Sequence, residues 1–148
     1  MDAPEPPRTL ARLVEQAAAR IERLDPGAAL EAVQGGALLI DIRSDTARGR
    51  DGVVPGSVHI PRTVLEWRLA PDSAWRNPHV GGADTRILLL CDHGCSSVLA
   101  AASLVDLGFG RAGDVIGGFE AWCEAGLPVA PAPPPIAGEL PGMGSPER

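Results

Sequence analysis

The chain has 148 residues, 45% of them hydrophobic, enough for one domain that buries a core without metals or disulfides. A net charge of -6, with no lysine among its basic residues, argues against nucleic acid or an anionic membrane as partner. No apolar run approaches the length of a membrane span, and the start Met1-Asp2-Ala3-Pro4-Glu5 lacks the basic and apolar regions of a secretory leader. A soluble, cytoplasmic protein is expected, in which three cysteines are thiols rather than a disulfide framework.

In chain order, the Pro-rich opening is a flexible lead-in. Leu10, Leu13, Val14, Ala17 and Ile21 then follow helical spacing from Arg8 to about Leu24, with Ile21–Leu24 turning into a first short strand. Asp25-Pro26 forms an N-cap followed by proline at the first helical position, and Gly35-Gly36 is the matching stop, so a helix is expected over 26–34. Ala37–Arg43 reads as a strand ending in Asp41 and Arg43, which are expected to form a structural ion pair. A polar stretch through Arg50 leads into a turn shaped by Gly52, Pro55 and Gly56. Pro61–Leu69 reads as a short helix, and residues 70–85 form a long loop in which His79 is expected to be solvated.

Ile87-Leu88-Leu89-Leu90 is a strand buried on both faces, as in the centre of a parallel sheet. The short loop from Cys91 to Ser96 follows, and Ser97 opens a helix with apolar positions at Val98, Ala101, Ala102 and Val105. Cys91 thus stands where a strand ends and a helix N-terminus begins, a place that favours anions and lowers a thiol's pKa. It is read as a nucleophile, the competing role being a small buried hydrophobe. Gly108 and Gly110 close the helix, Asp114–Ile116 is the last strand, and a final helix beginning at Gly117-Gly118 ends near Gly126, with Cys123 expected in the core. Strands alternating with helices imply an α/β fold, a three-layer domain with a central parallel sheet and helices on both faces. Residues 131–148, with six prolines and three glycines, read as a disordered tail.

The loop Cys-x-His-Gly-x-Ser-Ser, at Cys91, His93, Gly94, Ser96 and Ser97, resembles the active-site loop of short single-domain sulfurtransferases of the rhodanese family. Asp41-Ile42-Arg43, the turn Gly52–Ser57 and Gly-Gly-Phe-x-Ala-Trp at 117–122 resemble further motifs of that family. Many members end the loop in arginine where this chain has Ser96, and Val53 stands where histidine is usual. The resemblance covers about residues 22–130 and implies a rhodanese-like domain there, with residues 1–21 as lead-in and accessory helix. It implies a sulfurtransferase that moves sulfane sulfur from thiosulfate or a persulfide, through a Cys91 persulfide, to a thiol or cyanide; a partner protein as donor or acceptor stays open. Asp92, His93, Gly94, Cys95, Ser96 and Ser97 would line the substrate, and no cofactor is implied.

Three other readings stand beside it. A cysteine phosphatase needs a Cys-x5-Arg loop, absent here. Cys91, His93 and Cys95 have metal-binding side chains, but no fourth ligand is evident and no metal is assigned. A noncatalytic binding or redox-sensing module would use the same fold without turnover. Within the loop, Cys95 is either a spacer or a thiol that resolves the Cys91 persulfide. Asp92 adds a negative charge that opposes anionic donors.

Overall fold

The computed structural model describes residues 3–147; Met1 and Asp2 of the expected lead-in and Arg148 of the expected tail lie outside the described residues. The chain runs α1 (Leu10–Ala18), β1 (Glu22–Leu24), α2 (Pro26–Gln34), β2 (Leu38–Asp41), α3 (Asp45–Asp51), β3 (Val58–His59), a 3-10 turn at Arg62–Val64 leading into α4 (Leu65–Leu69), β4 (Ile87–Leu90), α5 (Ser96–Asp106), β5 (Gly113–Val115) and α6 (Gly118–Glu124). The five strands form one parallel sheet in the order β1-β5-β4-β2-β3. No helix among the described residues is long and apolar enough to cross a membrane.

The sequence pattern explains this layering. All four β4 residues are fully buried, and their alternation divides them between two cores. Ile87 and Leu89 pack with Leu65 and Leu69 of α4 and Ala101 and Leu104 of α5. Leu88 and Leu90 face the other way, onto Ala29 of α2 and Phe119 and Trp122 of α6. Helix α2 begins as the cap predicts, with the Asp25 carboxylate accepting from the Ala28 N–H at 2.8 Å. Helix α1 is capped by Thr9 and packs outside the sheet, Ala17 meeting Val98 and Ala102 of α5.

One segment differs from expectation. The polar stretch before Arg50 contains α3, capped by Ser44, whose hydroxyl accepts from the Ala47 N–H at 3.1 Å. It carries no apolar stripe, so periodicity could not reveal it; the cap and the Arg48 and Arg50 charges in its last turn support it. Among the described residues, those after Ala130 form no helix or strand, and the segment meets the domain at several points. Ala130 exchanges two backbone hydrogen bonds with Val53. Arg68 donates to the Pro141 carbonyl, Asn77 donates to the carbonyls of Gly142 and Gly144, and the Glu147 carboxylate lies 2.6 Å from Arg48.

At the C-terminal ends of β2 and β3, Asp41 and Arg43 form the expected ion pair, fully buried, with two guanidinium–carboxylate hydrogen bonds of 3.0 and 2.8 Å. Beside them His59 donates Nε2–H to the Arg43 carbonyl at 2.7 Å. Burial holds the His59 pKa below its usual value; the Arg43 carbonyl opposes this, and the Arg48 charge adds to it. The unfolded chain therefore takes up a proton here before the folded one, and stability falls as the pH drops below about 6.5. Between pH 7 and pH 5 the thermal midpoint should fall more steeply for the wild type than for His59→Gln; equal slopes would contradict this assignment.

Candidate active site

Strand β4 delivers Cys91 to the C-terminal edge of the sheet, and five residues later α5 begins. The Cys91 side chain is almost completely buried, and its sulfur accepts the Gly94 N–H at 3.1 Å. Gly94 reaches this position with φ +80, a left-handed conformation that curls the loop back over the sulfur. Burial pushes the Cys91 thiol up, but the hydrogen bonds that the Ser97 hydroxyl and amide, the Ser96 hydroxyl and the Gly94 amide can give a thiolate outweigh it and bring the pKa below the ordinary thiol value.

Helix α6 holds the loop from outside. The Phe119 N–H donates to the Cys91 carbonyl at 2.8 Å and the Glu120 N–H to the Asp92 carbonyl at 3.1 Å. Only glycine permits this approach: a Cβ on Gly118 (φ +63) would lie 2.4 Å from the Cys91 carbonyl oxygen and 2.7 Å from the Gly94 nitrogen. The Gly-Gly motif thus fits the end of β5 against the Cys91 loop.

Of the residues singled out in the sequence, Cys91, Gly94 and Ser97 meet at the sulfur. Ser97 is fully buried, its Oγ 3.3 Å from the Cys91 sulfur and 2.7 Å from the Asp114 carboxylate. Ser96 is exposed at the first turn of α5. Asp92 is half-buried and interacts electrostatically with Arg50. His93 points outward and pairs through Nδ1 with Glu120 at 2.6 Å. Cys95 is an exposed free thiol at the N-cap of α5. Cys123 is also free and exposed, correcting its expected place in the core: Trp122 takes the inward position on α6 and the next residue turns to solvent. Among the described residues no group of three or more His, Cys, Asp or Glu side chains is disposed to hold a metal ion.

Two residues beside the sulfur were missed. Asp114 of β5 is fully buried under Ser97. Arg23 of β1 stands opposite it in register and grips both carboxylate oxygens, Nε at 2.8 Å and a terminal nitrogen at 3.1 Å. The same arm donates to the Gly94 carbonyl at 3.3 Å, so β1 ties directly into the loop. The one sequence signal was a charge of each sign in two short strands, without a way to know that those strands adjoin.

A family model for the rhodanese-like domain matches residues 25–125. Over 109 residues the chain is 33% identical to a thiosulfate sulfurtransferase, GlpE, of Haemophilus influenzae strain PittEE, covering 73% of this chain and 93% of the relative. A solved structure from Rhodopseudomonas palustris, of a protein of unknown function described as a possible tyrosine phosphatase, is 29% identical with a TM-score of 0.76, covering 87% of this chain and all of that one. The polysulfide-sulfur transferase of Wolinella succinogenes, solved as a homodimer, is 26% identical with a TM-score of 0.65, covering 80% of this chain and 85% of that one.

Proposed function

The chain belongs to the rhodanese-like family, and on that premise we propose that it is a sulfurtransferase working through a persulfide on Cys91. One observation carries this reading: a buried, acidified thiol at the end of the central strand, held by the Gly94 amide inside a loop that opens a helix. The Cys91 thiolate attacks the outer sulfur of thiosulfate, the sulfur–sulfur bond breaks, and sulfite leaves with the electron pair. A nucleophilic acceptor such as cyanide or a thiol then takes the terminal sulfur and restores the thiolate. The loop amides and the Ser96 hydroxyl supply donors for the persulfide. A partner protein can serve as donor or acceptor, and the cytoplasm is the proposed compartment. Residues 22–130 are proposed as the functional domain, with 1–21 and 131–148 as extensions.

The phosphatase description of the Rhodopseudomonas palustris protein is not transferred. A Cys-x5-Arg ring would need arginine at position 97, which is a buried serine. Turnover of thiosulfate with cyanide tests the proposal; a purified wild type that transfers no sulfur from any sulfane donor would refute it.

The loop's charge makes thiosulfate a usable but weakly held donor, since Asp92 is anionic and Ser96 stands where arginine is common in the family. Asp92→Asn and Ser96→Arg should each lower KM for thiosulfate about two- to fivefold, the effect of one exposed charge contact worth ~0.5–1 kcal/mol. Steady-state kinetics at constant ionic strength measures this, and an unchanged KM in both variants would contradict it.

A further inference from the structure

The chain of contacts Cys91–Ser97–Asp114–Arg23, buried as far as Asp114, contains one hydroxyl proton and two groups that can claim it. Ser97 lies between the Cys91 sulfur at 3.3 Å and the Asp114 carboxylate at 2.7 Å. A serine hydroxyl has one proton and can donate to only one of them at a time. The shorter contact goes to the carboxylate, a charge-assisted bond, so the resting Ser97 donates to Asp114 and presents its lone pairs to the Cys91 thiol. A thiolate or persulfide at Cys91 gains the Ser97 donor only when that proton turns around. Asp114 can release it because Arg23 already satisfies both carboxylate oxygens.

We propose that Asp114, anchored by Arg23, is a positioning residue for the nucleophile that acts by directing the single Ser97 hydroxyl proton away from the Cys91 sulfur in the resting enzyme. The arrangement restrains the thiol at rest and lends it a donor once charge appears. It rests on the reading of Cys91 as the nucleophile, but it concerns the acidity of that thiol and not what the thiol transfers. The other charged or titratable groups around the loop are Asp92, His93 and Cys95 on the loop itself, Glu120 of α6 paired with His93, Arg50 of α3 near Asp92, and Arg43 at the exit of β2 against the Phe119 ring. All of them stay in place in the variants below.

The test is the pH dependence of Cys91 alkylation by iodoacetamide, read at Cys91 by peptide mass spectrometry and independent of any sulfur donor. Asp114→Asn frees the Ser97 proton, removes a negative charge and leaves Arg23 in place. The profile should move toward acid, with alkylation at pH 6 faster by roughly three- to tenfold. A merely structural role predicts the opposite sign, because a loosened loop loses the donors that acidify the thiol. With Ser97→Ala added, most of the acid shift should vanish. A shift toward alkali, no shift, or a shift of full size in the Ser97→Ala background would overturn the proposal. Should Asp114→Asn lack a cooperative thermal transition, Arg23→Gln carries the test, since that side chain is partly exposed. There Asp114 holds the Ser97 proton more tightly, so the profile should move toward alkali, again less so with Ser97→Ala; an unmoved profile, or the same shift in both backgrounds, would overturn it. The predicted shift, diminished by Ser97→Ala, in an enzyme that transfers no sulfur would uphold this network and refute the proposed function.

Discussion

Cys91→Ser should reduce sulfur transfer by at least ~10³-fold while leaving the fold in place. A serine hydroxyl is barely ionised at neutral pH and cannot carry a persulfide, so both halves of the reaction are lost together. Serine is close to cysteine in size and can accept the Gly94 N–H that the sulfur accepts now. The thermal midpoint should therefore move little, and the loss should appear in kcat rather than in KM. Initial rates with thiosulfate and cyanide, beside a thermal melt, give both numbers. Activity in the variant within tenfold of wild type would remove Cys91 from the chemistry.

Asp41→Ala should have the largest effect on stability. Its carboxylate holds two buried guanidiniums: Arg43 through two hydrogen bonds, and Arg48 at 3.4 Å. Arg43 has no exposed side-chain surface and stacks its guanidinium 3.8 Å from the Phe119 ring centre. Removing Asp41 leaves that charge buried with only the ring and the Gly52 carbonyl for company. Breaking one partner of a buried ion pair costs about 3–5 kcal/mol. For a chain of this size that lowers the thermal midpoint by on the order of 10 °C. Arg48 keeps Glu147 as a second partner, so the penalty falls mainly on Arg43. A denaturant melt measures it; a loss under ~1 kcal/mol would show that solvent reaches the site.

The sequence announced some of this architecture because the relevant physics is local. Four aliphatic residues in a row mark β4 as buried on both faces, and Asp25-Pro26 and Gly35 bound α2 by caps that act within one turn. The ion pair of Asp41 and Arg43 was legible for the same reason, two residues apart at a strand end. Helix α3 was not, since its stability comes from a cap and charges rather than from an apolar face. At the site, the loop itself could be read, but its support could not. Asp114 and Arg23 lie 91 residues apart and meet only because β1 joins the sheet beside β5. Likewise Gly118 reads as a helix start in sequence, and only the folded chain shows that a Cβ there would collide with the Cys91 carbonyl.

The proposed reaction passes through one intermediate, a single sulfur atom held on Cys91. Intact mass spectrometry of the wild type after incubation with thiosulfate, under nondenaturing and non-reducing conditions, tests it most directly. The account predicts a gain of one sulfur atom that cyanide removes, that maps to the Cys91 peptide, and that Cys91→Ser never acquires. An unchanged mass with every sulfane donor tried, or an added sulfur that persists in Cys91→Ser, would contradict it.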